Sequence, residues 1–271
     1  MNAVERYAQQ IDAVAEQQAR LGRSVPDRWS RAAPIFRADP RRPFDETLSA
    51  IAAYLQPDDV LVDVGGGAGR LGLPLALRCR EVVNVEPAPG MQEQFAACAA
   101  EAGITNVRAV QADWLAAPPV DGDVALAAHV TYFVHEIEPF VRKLSAAARR
   151  RVIVVVASVP PPNMNAALFR LLLGEELKLV PAHRELLPVL WELGLLPDVR
   201  VLRQPPTVAS RPNPDQTAAI QAAAASAGFQ DDQHAVSVIE QHFATLFRTT
   251  PEGYVPAWQP ASRTMLITWE T

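Results

Sequence analysis

Apolar positions in the first segment of the chain recur every three or four residues, through Val4, Tyr7, Ile11, Val14, Gln18 and Leu21. That spacing predicts one amphipathic helix, ended by Gly22. The next stretch is more polar and carries Trp29, Phe36 and the arginines Arg28, Arg31, Arg37, Arg41 and Arg42 among Pro34, Pro40 and Pro43, which predicts a short helix and a loop. A second helix is expected near Asp45 to Leu55. From Val60 the texture changes to short β-branched runs separated by longer Ala-rich segments. Strands are predicted at Val60 to Val64, Val82 to Glu86, Val107 to Gln111, Val124 to Ala128 and Val152 to Val156. Each gap leaves room for a crossover, the pattern of βαβ units around a parallel sheet.

After the fifth strand, Pro160, Pro161 and Pro162 break the chain, and Met164 to Leu196 reads as two Leu-rich helices divided by Pro181. Asp198 to Leu202 is a sixth strand candidate, followed by a loop containing Pro205, Pro206, Pro212 and Pro214. Two further helical stretches, Thr217 to Ala227 and His234 to Phe247, precede a last apolar strand, Met265 to Trp269. The expectation is an α/β fold: a doubly wound, mostly parallel sheet of seven strands with an N-terminal helical extension, residues 1–49. Residues 50–271 form the main domain, with helical inserts at about 160–196 and 205–263.

A length of 271 residues suits one large domain with an appendage. The formal net charge of −5 supplies no general field for nucleic acid or anionic lipid. No run is long enough to span a membrane, and the N-terminus lacks the apolar core of a secretion signal, so a cytoplasmic location is expected. Cys79 and Cys98 belong to no metal-binding or disulfide spacing, and no metal is expected. Cys98, in helical register with Met91, Phe95 and Ala102, reads as a core residue.

The chemistry concentrates in VLVDVGGGAGRLG, Val60 to Gly72. A strand running into glycines and then a helix brings backbone N–H groups close to a ligand. Two readings compete. Gly67, Gly69 and Gly72 satisfy GxGxxG, with Glu86 placed as the ribose acid of a dinucleotide site. The earlier triplet Gly65, Gly67 and Gly69 is instead preceded by Asp63, whose charge suits an ammonium-bearing ligand and repels a pyrophosphate. Asp113, after the third strand in VRAVQADW, is suited to accept a hydrogen bond from an exocyclic amine.

On DVGGGAG, Glu86 and Asp113-Trp114, in that order at successive strand ends, the chain resembles the class I S-adenosylmethionine-dependent methyltransferases. The resemblance covers roughly Ala50 to Val159 and implies a Rossmann-like sheet, S-adenosyl-L-methionine as cofactor and S-adenosyl-L-homocysteine as product. It implies that Asp63, Gly65, Gly66 and Gly67 hold the methionine portion and Glu86 the ribose. Met91, Asp113 and the backbone of Trp114 then border the adenine, although the indole is equally suited to the core. Pro74 departs from the pattern and leaves the length of the following helix open.

His129, just past the fourth strand in AAHVTYFVHE, is the candidate base; a structural or cofactor contact is the competing reading. Tyr132 and Phe133 are candidates to wall an acceptor pocket, and His135 reads as a surface or capping residue. No NPPY-like run or Pro-Cys follows the fourth strand, which weakens nucleic-acid base methylation. The runs Arg28 to Arg42 and Arg149 to Arg151 read first as solvated faces. The expected activity is methyl transfer to a small-molecule acceptor. An NAD(P)-dependent oxidoreductase and a non-catalytic cofactor-binding protein are the alternatives, and the oligomeric state is open.

Overall fold

The computed structural model describes residues 1–23, 27–203 and 212–271, and of Arg28 the backbone only. Pro205 and Pro206 of the expected proline loop lie outside the described residues. Among the described residues, no helix is long and apolar enough to cross a membrane.

The chain opens with helix α1 (Ala3–Arg20), capped by Asn2 and Glu5, then α2 (Arg28–Ala32), a 3-10 turn (Ala33–Phe36) and α3 (Glu46–Ala52). The alternating part follows as β1 (Val60–Val64), α4 (Gly72–Ala76), β2 (Glu81–Val85), α5 (Pro89–Glu101), β3 (Val107–Val110), β4 (Gly122–Ala128), α6 (Ile137–Ala147) and β5 (Ala148–Ala157). Helices α7 (Ala166–Leu173) and α8 (His183–Glu192) lead to β6 (Asp198–Leu202). The last elements are α9 (Gln216–Ser226), α10 (Gln233–Gln241), α11 (Phe243–Leu246), β7 (Phe247–Thr250), β8 (Gly253–Pro256) and β9 (Thr264–Glu270).

Seven strands form one sheet in the order β3-β2-β1-β4-β5-β9-β6. The β1 to β5 neighbours pair in parallel, and β9 runs antiparallel to both β5 and β6. The central strands are buried on both faces, which is why they read as unbroken apolar runs. One face packs α6, α8 and the Tyr7 side of α1 around Val62, Val154 and Ile267. The other packs α3, α4 and α5 around Leu61, Leu126 and Leu266. The chain winds outward from β1 to β3 and returns to β4, so a crevice opens between the carboxyl ends of β1 and β4.

Both sheet edges along the strand axis use charge differently. At the amino edge Arg149 pairs with Asp123 at 2.9 Å, Arg150 with Asp59, and Arg151 with Glu270 at 2.5 Å. The arginine run is therefore bound to protein carboxylates, and β5 begins at Ala148, four residues ahead of the apolar run that predicts it. The segment between β6 and β9 leaves and re-enters the sheet at the carboxyl edge, because the two strands are antiparallel. Its Ile220, Ala223, Ile239 and Phe247 form a small core together with Leu168 of α7.

One expectation is corrected in this segment. His234 to Phe247 is not one helix: α10 ends before His242, α11 is a single turn, and Phe247 starts the β7–β8 hairpin. The reason is an aromatic cluster, with Phe243 stacked on Phe247 at 4.6 Å and Tyr254 and Trp258 edge-on to them, which favours an extended pair closed at Pro251 to Gly253. Helix α4, after the glycines, is five residues long, with Pro74 inside its first turn where the missing N–H costs nothing.

Buried Asn163 acts as a surrogate strand, donating to the Val180 carbonyl and accepting from the Val180 N–H, both at 2.9 Å. Asn163→Ala leaves two buried backbone groups unpaired. A loss of about 1–3 kcal/mol in unfolding free energy is expected, measured by urea denaturation.

Candidate functional site

β1 ends against a loop that only glycine closes. Gly65 and Gly67 stand at φ +66° and +56°, and the Gly65 N–H donates to the Val85 carbonyl at 2.7 Å, tying the loop to β2. At Gly66 the constraint is space: any side chain there would overlap Asp63 Oδ2 and Asn84 Oδ1, which lie directly beneath it. A Cβ at Gly67 would meet only Met91 Sδ, at 3.5 Å.

Beneath this loop lies a buried acidic cluster. Asp63 is 1 % exposed, and its Oδ2 has no hydrogen-bond partner among the described residues. Asn84 Nδ2 donates to the Gly67 carbonyl at 3.1 Å, which orients the amide so that Oδ1 faces Asp63, also without a donor. Burial first, and the Glu86 charge second, push the Asp63 carboxyl up to about 7, with the Gly72 amide pulling the other way. Glu86, just past β2, accepts from Gly67 N at 3.1 Å and from Ala88 N at 2.9 Å. Burial raises its pKa against those two hydrogen bonds. Each Glu86 oxygen retains a free lone pair for a further donor.

The remaining cofactor candidates spread along the same crevice. Met91, in the first turn of α5, is buried with Ala68, Ala88, Ala33 and Phe36. Asp113 is exposed past β3, with Oδ1 accepting from Leu115 N at 2.9 Å. The Trp114 indole points into the core, its Nε1 reaching the Phe140 carbonyl at 3.4 Å, under Lys143, which lies 4.9 Å from the ring centroid. Lys143 Nζ also holds the Trp114 carbonyl at 2.6 Å.

Residues 61–152 match a family model described as a methyltransferase domain. Over that stretch, about a third of the chain, the sequence is similar to a methyltransferase domain. Among curated proteins none matches the chain. Of solved structures, the YcgJ protein of Bacillus subtilis is similar at a TM-score of 0.57 and 16% identity, over 83% of this chain and 97% of that one. The [4+2]-cyclase SpnF is similar at 0.52 and 17%, over 86% and 84%. Both likenesses are of fold. The family match lends nothing to the pyridine-nucleotide reading of Gly67, Gly69 and Gly72.

Across the crevice from the glycine loop, His129 follows β4 at φ +62°, with its N–H bound to the Val155 carbonyl at 2.8 Å. Its Nδ1 lies 3.0 Å from the Tyr132 hydroxyl, which in turn accepts from the Ala157 N–H. The phenol proton is thus left for Nδ1, and the tautomer assigned from this network carries its proton on Nε2. Burial, with the Arg70 charge second, pushes the imidazole down to about 4, so the ring is neutral at pH 7. Tyr132 is fully buried and supports His129 from below; it does not wall an open pocket. Phe133 is half-buried and meets Trp29 edge-on at 5.6 Å. His135 is exposed and lies 3.2 Å from Asp12 on α1.

Three contributors carry no motif in the sequence. Asn84 stands two residues before Glu86 in an ordinary strand, and only its position beneath Gly66 gives it a role. Tyr7 of α1 donates to the Thr131 carbonyl at 2.6 Å and so braces the segment after β4. Ser30 of α2 accepts from Gly90 N at 2.9 Å, fastening α2 to the first turn of α5. The arginines after α2 anchor the segment that follows it: Arg37 to Glu101, Arg41 to the Ala102 carbonyl and Arg42 to the Arg70 carbonyl. The side chain of Arg28 lies outside the described residues.

The Asp63 carboxyl sets a pH dependence whose sign is fixed. Its native pKa of about 7 lies above the ordinary carboxylate value of 3.8, so between these values the folded state holds the extra proton. Its contribution to stability is therefore full below about 3.8 and lost as pH rises through about 7. The melting temperature of the wild type is expected to fall relative to that of Asp63→Asn between pH 5 and 8 by scanning calorimetry; parallel profiles would refute it.

Proposed function

We propose that this methyltransferase transfers a methyl group from S-adenosylmethionine to a small-molecule acceptor in the crevice between β1 and β4. When bound, the cofactor supplies a methyl group activated by its sulfonium. The observation that carries the reading is the cradle itself: a glycine loop with no room for side chains at Gly65 and Gly66, above the buried Asp63 carboxyl and flanked by Glu86. Its donor set fits this cofactor, since carboxylates suit a cationic ligand with ribose hydroxyls and disfavour a pyrophosphate.

In this reading Gly65, Gly66 and Gly67 present backbone to the methionine portion, with Asp63 beneath them as the neutralising charge. Glu86 takes the ribose hydroxyls, Met91 packs on the adenine, and Asp113 with the Trp114 backbone closes its edge. His129 faces the acceptor. Neutral, and with its proton on Nε2, it is suited to orient an acceptor by donating a hydrogen bond more than to remove a proton at pH 7. Residues 1–49 serve as a roof, with Ser30, Ala33 and Phe36 against Gly90, Ala68 and Met91. Residues 50–271 form the catalytic domain, and the inserts at about 160–196 and 205–263 rise beside the acceptor end.

A small acceptor fits the arginines of the two basic stretches that are bound to protein groups: Arg37, Arg41, Arg42, Arg149, Arg150 and Arg151. The test is calorimetric titration with S-adenosylhomocysteine, with NADH as the parallel ligand. Binding of the first alone is expected, and binding of NADH alone overturns the reading. Glu86→Ala is expected to weaken S-adenosylhomocysteine binding roughly ten- to a hundredfold, the loss of a charge-assisted contact of about 1.5–3 kcal/mol. His129→Asn, which tolerates the left-handed backbone, is expected to keep cofactor affinity and to lower turnover once an acceptor is in hand. Cofactor binding without methyl transfer to any small-molecule extract would favour a non-catalytic role.

A further inference from the structure

The sheet ends at β6, and this edge is unlike the rest of the molecule. Four of its five residues are exposed, with only Leu202 buried. Val199 and Val201 are 42 % and 58 % exposed, and Leu196, two residues before the strand, is 86 % exposed. Trp191 on α8, which runs directly into β6, is 56 % exposed. Val199 and Val201 stand opposite Ile267 and Met265 of β9, so they share the sheet face that packs α8. Asp198 and Arg200 lie on the other face, opposite Thr268 and Leu266. Among the described residues neither forms an ion pair, and no strand pairs with the outer edge of β6. An exposed apolar edge with free backbone groups is a template for another strand.

We propose that β6 pairs antiparallel with β6 of a second copy of this chain, about a two-fold axis through Val199, joining two seven-stranded sheets into one. The register follows from faces and charges. A two-fold perpendicular to the sheet keeps each side chain on its own face, so the axis passes through a residue that opposes itself. An axis through Arg200 sets two guanidinium groups against each other. An axis through Val201 leaves Arg200 opposite the partner's Leu202. The axis through Val199 alone sets Asp198 opposite the partner's Arg200 and Arg200 opposite the partner's Asp198, two reciprocal opposite-charge pairs directly across the join. Val199 then meets its own copy, and Val201 meets the partner's Pro197, which has no N–H to donate and ends the ladder. On the α8 face, Trp191 and Leu196 approach the join from both sides and extend its apolar cover. The repeated charge pattern fits a second copy of this chain; an unrelated strand would have to reproduce it.

The experiment is sedimentation equilibrium of the full chain across the micromolar range, combined with cysteine cross-linking. The native Cys79 and Cys98 are buried and leave the surface free of thiols. Opposed residues on the axis lie about 4.5–5.5 Å apart by Cα, within reach of a disulfide. Val199→Cys is therefore expected to form a disulfide-linked dimer under mild oxidation. Val201→Cys, equally exposed on the same face, would be about 13 Å from its copy and is expected to remain uncross-linked. Arg200→Asp is expected to weaken the dimer at least tenfold, and Asp198→Arg combined with Arg200→Asp to restore it. A monomer at every concentration, equal cross-linking at both positions, or a dimer indifferent to Arg200→Asp each overturns the proposal. All substituted positions are exposed, and unchanged melting temperatures separate loss of association from loss of fold.

Discussion

A carboxyl group closed off from water beneath a loop of glycines is the constraint around which the site is arranged. Asp63 is the penultimate residue of β1, Asn84 stands beside it in β2, and their two unpartnered oxygens occupy the space that a side chain on Gly66 would need. The loop can lie this low only because Gly66 offers no Cβ. Its height over the strand ends in turn brings the Gly67 N–H to Glu86 and the Gly67 carbonyl to Asn84. Burying an uncompensated carboxylate is costly, and the raised pKa of Asp63 reflects that cost. A proton answers it at low pH, and an arriving cation would answer it at neutral pH. The same group thus couples the stability of the loop to the charge of what binds above it.

The rest of the fold keeps this cluster rigid at one end of the sheet. Parallel strands with both faces covered send every loop of the site to the carboxyl edge. The amino edge is instead closed by three arginine–carboxylate pairs that do no chemistry. Stability and function are therefore separated along the strand axis. The insert between β6 and β9 follows the same geometry. It must emerge at the carboxyl edge, where its apolar residues build a small core with Leu168 of α7.

The segment after β4 is held by reach across the chain. His129 has its tautomer set by Tyr132, Tyr132 is positioned by the Ala157 N–H of β5, and the turn that holds them is braced by Tyr7 of α1. The N-terminal segment also closes over the glycine loop through Ser30, Ala33 and Phe36. One helix and one short strap, distant in sequence from the βαβ core, thus define two walls of the crevice.

The order of the elements was legible in the sequence because each central strand is apolar on both faces and the connections after β1, β2 and α5 are marked by glycine or proline. β1 and β6 fall at the boundaries that their β-branched runs predict. The glycine loop and Glu86 were legible too, since backbone approach demands glycine and a strand-end carboxylate stands out among Val and Ala. The β7–β8 hairpin was not, because Phe247 continues a helical spacing and only its stacking on Phe243 beside Tyr254 and Trp258 turns it into a strand. Asn84, Ser30 and Tyr7 have no local signature; their partners lie 17, 60 and 124 residues away. The sequence by itself determined the sheet, the loop and the chemistry of the cradle, because periodicity and glycine placement are local properties. Tertiary structure alone decided the proton on His129, the burial of Asp63 and the free edge at β6, because hydrogen bonding, desolvation and edge position depend on which distant segments come together.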